Sequence, residues 1–410
     1  MRKILLATTA LVAFAGAAQA ADAPITVNVG GYVDFRAAMF HESDDAVNMG
    51  SGATHRRDGD FETEYRLNIA AEGKAANGIE YGGLVSLWNG ADYTNNFANS
   101  NTNGNQVHED QAYVWMSGAW GKVILGDDHG ASDLFVYAPT VGEGQIDGTY
   151  TDFTDPTTLM KLQPSFIDNT ENSTKVTYYT PKVGNANNKI QLGASFAPNF
   201  YDQGDDVIKY TPTPTTTSGP NYQDYVKAAA QYTGNFSPVS TVLSATVQTA
   251  DPASATNGTR LRSFTSYGVG AQAMYAGFTL GGSYVDAGRY GTIENQANTI
   301  DQNKDQSVWT AGLKYEFDKI AVAVNGMRGQ GYDNMLVNAG NVTIADRVGY
   351  VKDFDAIGVG ATYTWFPGLT TAADLVFFDQ QRDDTARLRT TTLNAPNDGQ
   401  VLMLSQKITF

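Results

Sequence analysis

Apolar and polar residues alternate along most of the chain. In residues 61–71 the odd positions are Phe61, Thr63, Tyr65, Leu67, Ile69 and Ala71, and the even ones are Glu62, Glu64, Arg66, Asn68 and Ala70. Residues 307–317 set Trp309, Ala311, Leu313, Tyr315 and Phe317 against Thr310, Gly312, Lys314 and Glu316. Residues 357–365 set Ile357, Val359, Ala361, Tyr363 and Trp365 against Gly358, Gly360, Thr362 and Thr364. A period of two sends successive side chains to opposite faces of a strand, so each segment carries one apolar and one polar face.

The pattern predicts sixteen strands, near residues 25–40, 59–73, 79–90, 107–118, 121–127, 173–180, 189–197 and 221–234, then 239–250, 263–275, 278–289, 306–317, 319–330, 353–366, 369–380 and 399–410. Most are long. A tilted membrane-crossing strand needs about 9–11 residues, whereas a strand in a soluble sheet has about 5–6. The connections alternate as well: tight ones at 74–78, 119–120, 235–238, 276–277, 318 and 367–368 separate long polar ones, with a somewhat longer turn at Pro181–Asn188. Short turns on one rim and long loops on the other are the signature of an all-β, transmembrane, antiparallel up-and-down barrel of about 16 strands. Closing such a sheet satisfies every backbone amide inside lipid and removes the open edges. Tyr275, Phe278, Tyr315, Phe317, Trp365 and Phe366 gather at strand ends, where an aromatic girdle would meet the lipid interface.

Composition adds the compartment. Arg2 and Lys3 precede an apolar run from Ile4 to Ala17 that ends in Ala18-Gln19-Ala20, which predicts a cleaved secretory signal over residues 1–20 and a mature chain from Ala21 to Phe410. Cysteine is absent although export permits disulfides, so stability rests on packing and hydrogen bonds. Of 27 basic residues two leave with the signal, against 43 acidic ones, so the mature chain carries −18. That balance excludes nucleic acid as a partner.

No catalytic constellation accompanies the fold. The four histidines, His41, His55, His108 and His129, show no metal-ligand spacing, and neither HExxH nor GxSxG occurs. His108-Glu109-Asp110 lies in a strand, where adjacent residues face opposite ways, so it makes a poor metal site. Gly358-Val359-Gly360 lacks the third glycine of a dinucleotide loop and reads as small inward side chains. The sequence thus predicts neither enzyme nor cofactor. An adhesin or a sugar-binding β-protein, suggested by the polar loops at 92–106 and 290–305, is the competing reading.

Strand phase places some charges. With Val33 and Phe35 toward lipid, Arg36 faces inward, and Arg66 and Lys175 do so by the same count. The connection from Asp128 to Asn172 is too long for a simple turn and is acidic, with Asp133, Glu143, Asp147, Asp152, Asp155, Asp168 and Glu171 against Lys161.

Gly121-Lys122-Val123-Ile124-Leu125-Gly126 with Gly130, preceded by Gln111-Ala112-Tyr113-Val114, resembles the strand that leads into the constriction loop of Gram-negative general porins, most of all the alphaproteobacterial type. Asn172-Ser173-Thr174-Lys175-Val176-Thr177-Tyr178 with Pro181, and the terminal Phe410, extend the resemblance along the mature chain. It implies an outer-membrane homotrimer, in contact with outer-membrane lipid and lipopolysaccharide, that passes small hydrophilic solutes and ions. It also implies that residues 128–172 fold inward as a constriction loop, with Glu143, Asp147, Asp152, Asp155 and Asp168 facing a basic wall of Arg36, Arg66 and Lys175. The terminal Phe410 would be read by the barrel-insertion machinery. Three-fold assembly would cover the small outward residues Gly31, Ala37 and Gly83. Two departures thin the basic wall: Asp127 and Asp128 follow Leu-Gly where the family often has a basic residue, and Trp88 stands on the third strand where no arginine does. The acidic balance then predicts a weak cation preference.

Overall fold

The computed structural model describes residues 25–43, 46–49, 52–55, 58–89, 107–154, 173–199, 222–252, 262–290, 306–332, 350–382 and 397–410. The signal expected over 1–20 lies outside them, as do Asp155 and Asp168. Among the described residues no helix is long and apolar enough to cross a membrane, which says nothing about crossing by strands.

The first strands are β1 (Thr26–Glu42), β2 (Ala46–Met49), β3 (Gly52–His55), β4 (Gly59–Lys74), β5 (Glu80–Trp88), β6 (His108–Gly118) and β7 (Gly121–Asp127). Three short 3-10 turns follow, Ala131–Leu134, Gln145–Asp147 and Thr149–Phe153. Then come β8 (Thr174–Tyr179), β9 (Val183–Gly184), β10 (Asn188–Asn199), β11 (Tyr222–Phe236), β12 (Val239–Pro252) and β13 (Phe264–Tyr275). The chain ends with β14 (Phe278–Gly288), β15 (Gln306–Phe317), β16 (Ile320–Tyr332), β17 (Tyr350–Phe366), β18 (Leu369–Arg382) and β19 (Asn397–Thr409).

Neighbouring strands pair antiparallel around the whole circuit, and β19 returns to β1 with Arg36 opposite Ser405 and Val33 opposite Ile408. The seam is completed by Phe410, whose N–H donates to Gly31 O at 3.0 Å and whose carbonyl accepts from Gly31 N at 2.9 Å. β8 and β9 both pair with β10 and together make one barrel strand, so the barrel closes with sixteen. The turn expected across Pro181–Asn188 is shorter than the sequence suggested. Pairing lapses at Pro181, which has no N–H to donate, and resumes where Val183 and Gly184 oppose Ile190 and Lys189. The β2–β3 hairpin in the connection after β1 was not foreseen either.

Alternation sorts the residues between two faces. Outward lie Val269, Leu280, Trp309, Ile357, Leu404 and Ile408, all exposed on the isolated barrel, and inward lie Asp34, Arg36, Asn325, Asp374 and Ser405, all buried. A charge on the lipid side near the midplane costs about 2–4 kcal/mol, which is why the phase is kept so strictly. Arg328 is an outward exception near the end of β16, and it is paired there with Asp353 at 3.0 Å. Beside the tight turns Phe278 stacks on Tyr315 at 4.3 Å and Tyr363 meets Trp365 edge-on at 4.7 Å, forming an aromatic band at that rim.

Candidate functional site

After β7 the chain turns into the barrel, where it is held strand by strand against the inner wall. Leu134 O accepts from Gln231 Nε2 on β11 at 2.9 Å, and Val136 N donates to Ser244 Oγ on β12 at 2.9 Å. Tyr137 O accepts from Gln272 Nε2 on β13 at 2.7 Å, and Ala138 N donates to Thr310 Oγ1 on β15 at 3.2 Å. Pro139 O accepts from Asn325 Nδ2 on β16 at 3.3 Å, and Glu143 N donates to Asp374 Oδ2 on β18 at 2.9 Å. Irregular backbone inside a barrel needs such partners, because its amides have neither a ladder nor guaranteed water.

Farther along, the segment packs by apolar burial. Ala138, Ile146, Tyr150 and Phe153 join Met327, Phe354, Val376, Phe378, Val401 and Met403 of the wall in one cluster, with Ala38 of β1 at its far side. Phe153 lies 6.3 Å from the ring of Phe40, and Tyr150 lies 6.3 Å from that of Phe378. Each large side chain removed from water contributes roughly 1.5–3 kcal/mol, so several together pin the segment firmly. Gln145 ties the two modes of attachment together. It donates to Asp374 Oδ1 and to Val141 O, and its Oε1 accepts from Asn325 Nδ2 at 2.9 Å.

The expected wall cations fall in three different settings. Arg36 is buried and fully engaged: Nε meets Asp34 at 3.0 Å, one terminal nitrogen meets Glu64 at 2.8 Å, and the other meets Glu143 of the lumenal segment at 2.8 Å. Lys407 joins them, 3.5 Å from Glu143 and 3.7 Å from Asp34. The resemblance implied that Arg36 and Glu143 would face each other across the passage, but the two are in direct contact. Desolvation explains the pairing, since a buried guanidinium or carboxylate left alone costs several kcal/mol. Lys175 is also buried, and its Nζ donates to Asp128 O where the segment leaves the wall. Arg66 alone stays partly open on the inner face, 3.2 Å from Asp110, with its guanidinium 5.1 Å above the Trp88 ring.

The acidic candidates divide too. Glu143 is spent on Arg36 and Lys407, whereas Asp152, in the third 3-10 turn, is exposed. Asp147 closes the second turn. Where the segment begins, His129 Nδ1 lies 3.4 Å from Asp133, whose carboxylate holds the imidazole pKa above its ordinary value against the opposing effect of burial. Among the described residues no group of three or more His, Asp or Glu is placed to hold a metal.

Asp374, Gln145 and Asn325 were not singled out by sequence reasoning. Asp374 nevertheless carried a signal, an acid in inward phase within the otherwise apolar Ala372-Ala373-Asp374-Leu375-Val376.

A family model described as Gram-negative porin matches residues 7–383. Among solved structures the chain is similar to OmpF of Salmonella typhi in complex with daunomycin, with 13% identity over 94% of this chain and 97% of that one and a TM-score of 0.55. It is also similar to an anion-selective porin from Comamonas acidovorans, with 14% identity over 94% and 100% and a TM-score of 0.54. A third is OmpT of Vibrio cholerae in its trimer form, with 11% identity over 94% and 100% and a TM-score of 0.53. No curated protein matches. At these identities the solved structures speak for the fold, and the family match, which runs through most of the chain, adds the rest: this protein belongs to the Gram-negative porins, the β-barrel channels of the outer membrane.

Proposed function

We propose that the barrel is a passive, water-filled diffusion channel for small hydrophilic solutes and ions, weakly selective for cations, that it works as a homotrimer, and that residues 128–172 form its constriction. The observation that carries this reading is the one-sided course of residues 131–153. They cover the wall from β8 round to β1, with Ala131 and Leu134 packed on Ile124 of β7 and Tyr179 of β8 and with Tyr113 and Trp115 resting against that cluster, while Arg66, Trp88 and Lys122 stay partly open on the inner face. A pore narrowed by such a segment selects by diameter and by the charges that line it.

The cation preference is supported by how the cations are spent. Arg36 and Lys175 are buried and Arg66 lies against Asp110, which leaves Lys122, partly open over Trp115, to oppose the exposed Asp152. Asp155 and Asp168, beyond the described part of the connection, would add to the acidic side. The zero-current potential in a potassium chloride gradient tests this reading. The wild-type channel should prefer potassium, and replacing Asp147, Asp152 and Asp155 together with Asn should move the potential toward the anion side. Charges are screened over roughly 8–10 Å at ordinary ionic strength, so lining residues should matter more than the total, and lower salt should widen the difference. A wild-type preference for chloride, or no movement in the triple variant, would contradict it. The adhesin or sugar-binding alternative gains nothing from the apolar belt around the barrel.

A further inference from the structure

The wall beneath the lumenal segment is built of glycine where the segment touches it most closely. Gln272, Gly281, Gly312, Asn325 and Gly358 oppose one another in turn across β13 to β17, forming one transverse row. Ser244, Gly270, Ser283 and Thr310 form the neighbouring row. The segment runs along these rows. A Cβ on Gly281 would meet Gln272 Cγ of the wall at 2.6 Å and Pro139 Cδ of the segment at 3.3 Å, and one on Gly312 would meet Asn325 Cβ at 2.9 Å and Pro139 O at 3.2 Å, so these two glycines make room for both. At Gly358 it would collide with Gln145 Cβ, and at Gly270 with the Val136 carbonyl, a backbone group that cannot swing aside. Gly360 would meet Gln145 Nε2 and Asp374 Oδ1 together.

Backbone conformation does not require these glycines. None of the five is among the positive-φ residues, and each lies in a regular strand that other residues could adopt. Glycine weakens a strand and, in mid-strand, marks the close approach of another backbone. The approaching backbone here is the protein's own, and what the small side chains provide is depth.

We infer that this glycine groove determines the size limit of the channel: it recesses residues 134–145 into the wall by about the thickness of a side chain and leaves the aqueous path along β4 to β7. The inference rests on the diffusion-channel reading above and adds to it the residues that set the aperture. Gln145 is the matching positioning residue, because its side chain occupies the space that Gly358 and Gly360 leave open.

The test is single-channel conductance of the full-length protein in planar bilayers, together with the exclusion limit for a graded series of neutral sugars in liposome swelling. Gly270→Ala and Gly358→Ala should each press the segment inward, lower conductance roughly 1.5- to 2-fold and exclude the largest sugar that wild type admits. Gly326→Ala is the control. It lies in outward phase, its nearest neighbour would be 3.5 Å away, and it should conduct as wild type does. Gln145→Gly combined with Gly358→Ala removes the colliding Cβ at a position whose φ of 45° suits glycine, so it should recover conductance toward that of Gln145→Gly alone. Should Gly358→Ala fail to accumulate folded, the double variant must restore both folding and conductance. Folded Gly270→Ala and Gly358→Ala channels with wild-type conductance and exclusion limit would overturn the inference, and so would a double variant that recovers nothing. If wild type itself does not conduct, the channel reading falls and this inference falls with it.

Discussion

The inner wall of the barrel is two different surfaces. From β10 round to β1 it carries glycine, serine and threonine under the first half of the lumenal segment, and Val376, Phe378, Val401 and Met403 under the second, so it is packed like a protein interior. From β4 to β7 it carries Arg66, Trp88, Tyr113, Trp115 and Lys122, large side chains that are only partly covered. Cations stand over indole rings in that sector, Arg66 at 5.1 Å from Trp88 and Lys122 at 5.0 Å from Trp115. An inward position on a barrel strand therefore has two meanings. Under the segment it is a core position, where charge must be paired, as Arg36 is; where the segment does not reach, side chains such as Arg66 and Lys122 stay partly open and able to act on a solute, although Glu64 and Asp110 beside them are buried.

Arg36 and Arg66 put this contrast into one residue type. Both occupy inward positions, on adjacent strands. Arg36→Ala would leave Asp34, Glu64 and Glu143 without their main partner, and breaking a buried pair in this way costs about 3–5 kcal/mol. Chemical unfolding of the refolded barrel should register that loss, and noisier channels should accompany it as Glu143 comes free. Arg66→Ala should cost less, about 1–3 kcal/mol, because it takes the cation from one buried carboxylate, Asp110, and not from three, while moving the zero-current potential further toward cations. Equal stability losses for the two would erase the distinction between the sectors.

A smaller effect is expected at Asp374, which accepts from Glu143 N and Gln145 Nε2. Asp374→Ala leaves buried donors unsatisfied, at about 1–3 kcal/mol, and should loosen the segment without altering the apolar cluster beyond it. Proteolysis within residues 141–148 in the folded variant, against protection in wild type, is the measurement. Deleting Phe410 should act elsewhere altogether. Its two hydrogen bonds to Gly31 close the seam at the end of β19, and neither residue belongs to the cluster that holds the segment, so the folded amount in the outer membrane should fall while surviving channels conduct normally. Altered conductance in those channels would tie the seam to the aperture.

The smallest expected effect is the pH response of His129. Its pKa is raised in the folded protein by Asp133, so the stabilisation from the pair is present in full below the ordinary value of about 6.5 and is lost as pH rises through the raised one. Thermal stability followed across that range should show a slight decline with rising pH in wild type that His129→Gln lacks. An equal decline in both would assign it to other groups.

The sequence made the barrel legible because lipid on one side enforces a strict period of two. Phe61, Trp309 and Ile357 could be assigned outward on that ground alone. What it left hidden depends on what fills the inside. Leu375-Val376-Phe377-Phe378 and Val401-Leu402-Met403-Leu404 are apolar on both faces, a pattern that announces burial on both sides without naming what buries the inner one. Arg36 could be phased inward, but its contact with Glu143 links residues 107 positions apart and depends on the path of an irregular segment. Gly358 and Gly360 could be read as small inward side chains, but only the register that lines up Gly281, Gly312 and Gly358 across β14 to β17, with Gly270 in the row beside them, reveals a groove. The β2–β3 hairpin is made of two strands of four residues each, too short for a period of two to stand out.

Planar-bilayer recording of the purified, detergent-folded protein in symmetric potassium chloride tests the channel most directly. Insertion should raise the current in groups of three equal steps, each an ohmic, water-filled conductance, as expected of three barrels whose lumens are each covered on one side and open along β4 to β7. Properly folded protein that inserts without conducting would contradict it.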